Sequence, residues 1–222
     1  MKEALGTYPE IPMPDNHKPM LPRLYRGPAF DREGWGFEPK LDGFNCTIRI
    51  DNRSVRFRSK DLAGFNIVID QFAQNFKHVI DPMFLMSEAC VMNQYGNTRL
   101  DWLVNPSLAP ENSTIRFCLY DVTYFDRYDV KTMPLRDRKQ LLYEIAEKYF
   151  RDDPHIVVVT YIEEKGIELF NLMKEIDQEG IVAKKLNSIY VEGVTSPSWL
   201  KIKNPDYTPS EYAPFFSRRN LK

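Results

Sequence analysis

The chain becomes strand-like from Trp35, and apolar and polar residues alternate over 44–51 and again over 55–60. A period of two is typical of strands with one buried face, and the Asp51-Asn52 pair between the two runs favours a tight turn. The pattern therefore predicts a β-hairpin with one apolar face. The alternating apolar positions are Phe44, Cys46, Ile48, Ile50, Val55 and Phe57.

Other periodicities predict the remaining elements. Strands are predicted at residues 83–92, 115–123, 155–160, 180–185 and 199–203, and helices at 68–80, 134–150 and 164–177. Pro134 suits the first turn of the second helix, whereas the polar residues 93–114 predict a loop. Strands outnumber helices and have hairpin-like neighbours, so we expect an α+β fold of antiparallel β-sheets flanked by helices. Residues 1–33 are rich in proline and predict an irregular lead-in.

Composition limits the function classes. The 222 residues suit one large domain, and charge is abundant but nearly balanced at −1, so nucleic-acid contacts must come from local basic patches. Cys46, Cys90 and Cys118 have no metal-ligand spacing and are predicted to be buried thiols in a reducing compartment. No apolar run approaches the roughly 20 residues that span a bilayer. We therefore expect a soluble, intracellular protein with no membrane partner.

Residues with chemical potential stand at the ends of the predicted strands. Lys40 is followed by Asp42 and Gly43, a pattern that also suits a surface lysine entering a turn. Glu88 lies inside an apolar run, where its burial requires a metal, hydroxyl or basic partner. Tyr120 closes another apolar strand and by itself is equally typical of a core or rim position.

Two further segments combine lysines with a carboxylate. Lys201 and Lys203 are predicted on one strand face, either solvated or facing an anion. Glu179 and Lys184 flank strand 180–185, where strict alternation places them on opposite faces. A bulge near Gly180 is therefore required if both are to face one pocket.

The order of these segments is more specific than any one of them. EPKLDG, SEA, LYDVTYFD, EGIVAKK and WLKIK follow one another along the chain. This series resembles the ordered motifs of ATP-dependent DNA ligases and of the related RNA ligases and capping guanylyltransferases, over residues 18–203. The segment KPML at 18–21 resembles bacterial end-joining ligases. The resemblance implies an ATP-grasp-like nucleotidyltransferase core, with residues 34–203 as the adenylation domain.

The resemblance also implies a role for each matching residue. Lys40 matches the nucleophile that becomes adenylylated by ATP, Glu38 the contact to the adenine amine, and Tyr120 the ring that stacks on adenine. Glu88 matches a ribose or metal contact and Glu179 a metal-associated carboxylate, with Mg²⁺ as the implied cation. The lysines that match phosphate-binding positions are Lys184, Lys201 and Lys203. Because a lysine attacks only when unprotonated, we expect Lys201, Lys203, a bound metal and partial desolvation to lower the pKa of Lys40.

The implied partner is nicked double-stranded DNA. Arg56, Arg58 and Lys60 are expected to contact its phosphates, with a solvated basic hairpin as the alternative. The chain departs from the family at Asn45 and Lys60, where arginines are usual, and neither residue supplies the charged fork of arginine.

Three other functions remain open at this point: an RNA ligase, a capping-type nucleotidyltransferase, and a non-catalytic nucleic-acid-binding module. The tail at 204–222 is too short for the OB-fold barrel of the family, so we expect a core whose OB domain is absent or acts in trans. We further expect a monomer that is cytoplasmic and nucleoid-associated if bacterial or phage-encoded.

Overall fold

A computed structural model describes residues 5–52, 54–59 and 69–209. Its strands form two sheets. The first sheet has the order β1-β11-β10-β2-β9. These strands are β1 (Leu21–Leu24), β2 (Trp35–Pro39), β9 (Ile162–Glu163), β10 (Gly180–Lys185) and β11 (Thr195–Lys203).

The second sheet has the order β4-β3-β5-β6-β7, and β8 pairs with β6. These strands are β3 (Phe44–Asp51), β4 (Ser54–Ser59), β5 (Met83–Met92), β6 (Thr114–Phe125), β7 (Tyr128–Asp129) and β8 (Ile156–Val158). The α-helices are α1 (Leu100–Val104), α2 (Leu135–Tyr149) and α3 (Gly166–Glu175), and 3₁₀ helices cover Gln71–Phe76 and Pro106–Leu108. In the part of the chain that the structure describes, no helix is long and apolar enough to cross a bilayer.

Helix α2 begins where the sequence predicts it to begin. Pro134 precedes its first turn, and the backbone N–H groups of Leu135 and Arg136 donate to carbonyls of the loop that follows β10. These bonds satisfy helix donors that would otherwise have no partner. The helix buries Leu141, Leu142 and other apolar residues against the second sheet, in the larger hydrophobic core.

A smaller core joins the two sheets. Met86 of β5 and Trp199 of β11 pack there with Met20 of the lead-in, and all three are almost fully buried. Burial of apolar side chains from both sheets in one cluster fixes how the sheets face each other. The space between them is therefore a defined cleft.

Several predicted elements differ from the observed ones. The lead-in is not irregular throughout, because β1 pairs in parallel with β11 and shifts register between Pro22 and Arg23. This edge position tolerates Pro22, which cannot donate to a ladder. The predicted helix at 68–80 is a 3₁₀ helix over Gln71–Phe76, with residue 68 outside the described residues, and the predicted loop at 93–114 contains α1. The sheets are mixed, since β6 and β8 are also parallel.

Gly180 starts β10 with a backbone conformation that favours glycine. Its φ is +128°, and a Cβ there would lie 2.1 Å from the carbonyl oxygen of Ile202. From this residue onward, β10 pairs in continuous register with β11. The irregularity predicted near Gly180 is thus a left-handed residue at the strand start, and it turns Glu179 toward the face that carries Lys184.

Gly180→Ala should therefore destabilise the fold by more than the cost of a positive φ alone. Gly96→Ala is the matched control, because Gly96 has φ +85° and nothing within 4 Å of an added Cβ. We expect about 1–2 kcal/mol of lost unfolding free energy at Gly96, and a clearly larger loss at Gly180, in urea denaturation. Equal losses in the two variants would show that the close approach to Ile202 has no energetic weight.

Candidate active site

The cleft between the sheets is lined by five of the residues with predicted roles, namely Glu38, Lys40, Glu88, Tyr120 and Lys184. It is open to solvent, and its empty space, open solvent included, is about 590 Å³. Its lining residues are Met20, Leu21, Pro22, Glu38, Pro39, Lys40, Leu41, Asn45, Glu88, Tyr120, Val159, Val182, Lys184 and Trp199.

Strand register explains why these side chains converge. On the first sheet, Val182 lies opposite both Glu38 and Lys201, and Lys184 lies opposite Trp199. Residues directly opposite in neighbouring strands point to the same face. Glu38, Val182, Lys184, Trp199 and Lys201 therefore share one face of the sheet, while the apolar residues between them enter a separate core.

The second sheet supplies the opposite wall. Asn45 lies opposite Glu88 in the β3–β5 ladder, and Tyr120 follows two residues after the partner of Glu88 on β6. The side-chain amide of Asn45 donates to the Tyr120 hydroxyl at 2.5 Å. The Tyr120 ring also meets Trp199 edge-on at 6.2 Å between centroids. These two contacts fix the ring. Burial also raises the pKa of Tyr120, so its hydroxyl stays protonated and takes part in hydrogen bonding.

One end of the cleft is built around Glu38. Its carboxylate lies 2.5 Å from the ammonium of Lys184 and 2.8 Å from that of Lys139. The Lys184 ammonium also lies over the rings of Trp199, at 4.3 Å, and Tyr120, at 4.8 Å. Burial lowers the pKa of Lys184, against the opposing effect of Glu38. We refer to Glu38, Lys184, Tyr120 and Trp199 as the Glu38 end.

The other end is built around Lys40. The Lys40 ammonium lies 2.5 Å from one oxygen of Glu179, and the Lys203 ammonium lies 2.9 Å from the other. Lys40 also donates its backbone N–H to the Gly180 carbonyl. Burial raises the pKa of carboxylates, yet Lys40 and Lys203 outweigh it and lower the pKa of Glu179. We refer to Lys40, Glu179, Lys201 and Lys203 as the Lys40 end.

From the protein's own groups alone, the pKa of Lys40 is raised, whereas the expected lowering counted a bound metal among the neighbouring cations. Burial does favour the neutral amine, but the carboxylate of Glu179, with those of Glu88 and Asp42, outweighs burial and raises the pKa. The lowered pKa belongs instead to Lys201, through burial and through the charges of Lys40 and Lys203. The expectation counted the neighbouring cations and missed how close Gly180 brings Glu179.

The residues after Lys40 have a positional role. Asp42 faces away from the cleft, where its carboxylate accepts from the backbone N–H of Leu100 and from the Tyr207 hydroxyl. A Cβ on Gly43 would lie 2.5 Å from the Ala89 carbonyl oxygen, so only glycine lets the turn approach β5. The KLDG turn connects β2 of the first sheet to β3 of the second, and it contacts α1 through Asp42 and β5 through Gly43. These contacts hold Lys40 at the cleft.

The hairpin charges lie beside the cleft. Arg56 and Arg58 are exposed on β4, and Arg58 donates to the side chain of Asn16. Arg58 lines a second groove with Lys18, and that groove shares Leu21 and Asn45 with the cleft. Lys60 lies outside the described residues.

The described cysteines and carboxylates limit the metal chemistry. Cys46, Cys90 and Cys118 are free and buried, as predicted. Among residues 5–52, 54–59 and 69–209, no group of three His, Cys, Asp or Glu side chains converges. Glu179 pairs with Lys40 at 2.5 Å, and Glu88 lines the same cleft as Lys40.

Val182, Trp199 and Lys139 are among the residues in or beside the cleft that the sequence analysis did not predict. Val182 and Trp199 are brought into the cleft by strand register, which a single sequence does not show. Lys139 is fully buried beneath the cleft. Its signal in the sequence is a charged residue inside the leucine-spaced face of α2, next to the equally buried Arg138.

Comparison with known proteins agrees with this architecture. The family model described as the ATP dependent DNA ligase domain matches residues 19–203. The SPbeta prophage-derived DNA ligase-like protein LigB of Bacillus subtilis is 30% identical over 193 residues, which are 86% of this chain and 68% of that protein. The bifunctional non-homologous end joining protein LigD of Bacillus subtilis is 29% identical, over 83% of this chain and 34% of that protein.

A structure of mycobacterial DNA ligase D complexed with ATP and MES aligns with a TM-score of 0.70 and 24% identity, covering 86% of this chain and 61% of that one. At this identity the likeness shows the fold, and it confirms the predicted α+β nucleotidyltransferase core. The chain spans about a third of the LigD relative. The family match over 19–203 and the likeness to LigB show that this chain belongs to the ATP-dependent DNA ligase family, as its adenylation domain.

Proposed function

We propose that this chain is the adenylylating core of a DNA ligase, in which Lys40 attacks the α-phosphorus of ATP. The observation that carries the proposal is the Lys40 end of the cleft. There, one buried carboxylate holds the Lys40 ammonium, and Lys201 and Lys203 flank the same position. Cations around a nucleophilic lysine suit a reaction in which charge develops on a phosphate.

The two ends of the cleft suit the two ends of a nucleotide. At the Glu38 end, the fixed ring of Tyr120 offers a stacking surface and Val182 lines the cleft on the other sheet. The Glu38 carboxylate can only accept hydrogen bonds, as the exocyclic amine of adenine requires. The triphosphate then extends toward Lys40, Lys201 and Lys203.

The reaction follows in three transfers. The neutral amine of Lys40 forms a bond to the α-phosphorus as the bond to the β-phosphate oxygen breaks, and pyrophosphate leaves. An oxygen of a 5′-phosphate at a nick then attacks the same phosphorus and releases Lys40. Finally, the 3′-hydroxyl attacks the activated 5′-phosphate, and AMP leaves as the nick is sealed.

Glu179 and Glu88 would hold the Mg²⁺ ion of this reaction. Hard cations prefer carboxylate oxygens, and Mg²⁺ is usually held by one or two carboxylates together with substrate phosphates. Two carboxylates near Lys40, without converging histidine or cysteine among the described residues, fit that donor set. When bound, Mg²⁺ supplies charge neutralisation on the phosphates. A cation held by Glu179 would also oppose the attraction between this carboxylate and the Lys40 ammonium, and so would favour the neutral amine.

Lys40→Arg should abolish the acid-labile AMP adduct that forms when the protein is incubated with labelled ATP. Arginine keeps the positive charge but is never deprotonated near neutral pH, so it cannot attack phosphorus. The control is Lys185→Ala, on an exposed lysine next to Lys184 in β10. Labelling is measured on denaturing gels, with GTP beside ATP to separate ligase from capping chemistry. An adduct that survives in Lys40→Arg would assign the nucleophile elsewhere, and no adduct in the unaltered protein would favour a non-catalytic module.

Glu179→Gln should lower the pKa of Lys40 in the absence of nucleotide. Without that carboxylate, burial faces only Glu88 and Asp42 as opposing influences. The pKa can be followed by the side-chain carbon-13 shift of Lys40 in lysine-labelled protein. In the unaltered protein the pKa of Lys40 should lie above the usual lysine value of about 10.4. The Lys40 amine is then almost fully protonated at neutral pH, and its neutral fraction grows as the pH rises toward that pKa. Glu163→Gln, on an exposed carboxylate paired with Arg136, should change nothing. An unchanged Lys40 pKa in Glu179→Gln would contradict the proposed pairing.

The Arg56→Ala/Arg58→Ala double variant should weaken binding to nicked DNA and reduce its salt dependence. Each phosphate contact that is lost lowers the slope of log affinity against log salt by about one, so the pair should lower it by about two. The control is Arg151→Ala/Lys165→Ala, two exposed basic residues away from the cleft. The binding isotherms are measured by fluorescence anisotropy at several salt concentrations. If both double variants show the same slope, the hairpin is only a solvated surface.

A further inference from the structure

Lys139 is a buried cation that the proposed reaction does not use. It lies on α2 with no exposed surface, and its side chain does not line the cleft. Its ammonium lies 2.8 Å from the Glu38 carboxylate, and it donates to the Val159 carbonyl at 2.5 Å and to the Tyr120 carbonyl at 3.3 Å. Lys139 therefore makes one ion pair, with Glu38, and donates two hydrogen bonds to backbone carbonyls.

All three partners of the Lys139 ammonium belong to residues that line the cleft. Glu38 lies on β2, Tyr120 on β6, and Val159 directly after β8, so Lys139 ties both sheets together at one point. Replacing a buried ion pair by apolar residues of similar volume is often neutral or stabilising. Stability alone therefore does not account for this lysine, whereas the placement of three cleft residues does.

We propose that Lys139 is a positioning residue that fixes the Glu38 end of the cleft and thereby makes the site select adenine over guanine. Adenine presents an amine donor at the position where guanine presents a carbonyl acceptor. A carboxylate held in one orientation by an ammonium beside each oxygen accepts a hydrogen bond from the adenine amine and repels the guanine carbonyl. The inference rests on the proposed function, because it requires the base to lie at Glu38.

Without Lys139, the three anchored groups become independent. The Glu38 oxygen that faces α2 loses its cation, and Lys184 on the other oxygen becomes its only described ion-pair partner. The Tyr120 and Val159 carbonyls lose a donor at the same time. The carboxylate can then rotate toward Lys184, and the acceptor that distinguishes the two bases is no longer fixed.

Arg138 offers a matched control on the same helix. It is equally buried and binds the Asp121 carboxylate with two hydrogen bonds, at 2.8 and 2.9 Å. Its other acceptors are the carbonyls of Met133 and Ser188. None of these partners lines the cleft, so Arg138 shares the burial and ion pairing of Lys139 without its link to the site.

The experiment compares Lys139→Met and Arg138→Met in the full chain. Initial rates of covalent labelling with ATP and with GTP give a selectivity ratio for each protein, and thermal unfolding gives its stability. In Lys139→Met the hydrogen bond between the adenine amine and the charged Glu38 carboxylate is weakened or lost. The ratio of ATP to GTP labelling rates should therefore fall about tenfold or more. In Arg138→Met the ratio should stay within about threefold of the original, because stability changes without any change at Glu38. Lys139→Gln, which keeps an N–H donor but no charge, replaces the methionine variant if that variant shows no cooperative unfolding.

The outcomes separate this inference from the proposed function. An original protein that forms no adduct with ATP overturns both. An original protein that labels with ATP, together with a Lys139 variant of unchanged ratio, overturns only the role of Lys139. Equal falls of the ratio in the Lys139 and Arg138 variants also overturn it, since a general loss of stability then explains both. A fall confined to the Lys139 variant supports it.

Discussion

The carboxylate of Glu179 lies between the ammonium groups of Lys40 and Lys203, and this arrangement depends on the backbone conformation of Gly180. Strand alternation alone would send Glu179 and Lys184 to opposite faces of the sheet. The positive φ of Gly180 brings both into one cleft while β10 stays in register with its neighbours. A glycine with no room for a Cβ therefore determines the electrostatics at Lys40.

The cleft carries a local excess of positive charge that the overall composition conceals. The chain has a net charge of −1, yet Glu38 alone faces two buried ammonium groups, and Glu179 bridges two more. Buried charges are costly unless paired, so each carboxylate is held by the lysines around it. A polyanionic ligand adds the negative charge that this arrangement lacks, and low-dielectric walls strengthen its attraction. The net charge of the chain therefore does not indicate the charge of the ligand that the cleft suits. The local pairing of lysines with carboxylates indicates it better.

Local sequence patterns were sufficient for elements whose partners are near in sequence. The alternation around Ile48 and Phe57 predicted the β3–β4 hairpin, and Pro134 with the spaced leucines predicted α2. The parallel pairing of Leu21 with Thr195 joins residues far apart in the chain and leaves no local signal. Lys139 was missed for the same reason, because its three partners lie on separate elements. The motif order located Lys40, but its raised pKa depends on a distance that only the folded chain defines.

Asn45 shows how one neutral residue affects both ends of the cleft. It lies opposite Glu88 on the neighbouring strand. An amide at this position adds no positive charge to balance Glu88, whose field helps to raise the pKa of Lys40. The same amide donates to the Tyr120 hydroxyl and so orients the ring at the Glu38 end. An arginine here would offset the negative charge of Glu88 and place a further cation near Lys184, whose ammonium already pairs with Glu38 and lies over the rings of Tyr120 and Trp199. Because Lys184 and Lys139 already share one carboxylate, a neutral donor orients Tyr120 without adding to that positive charge.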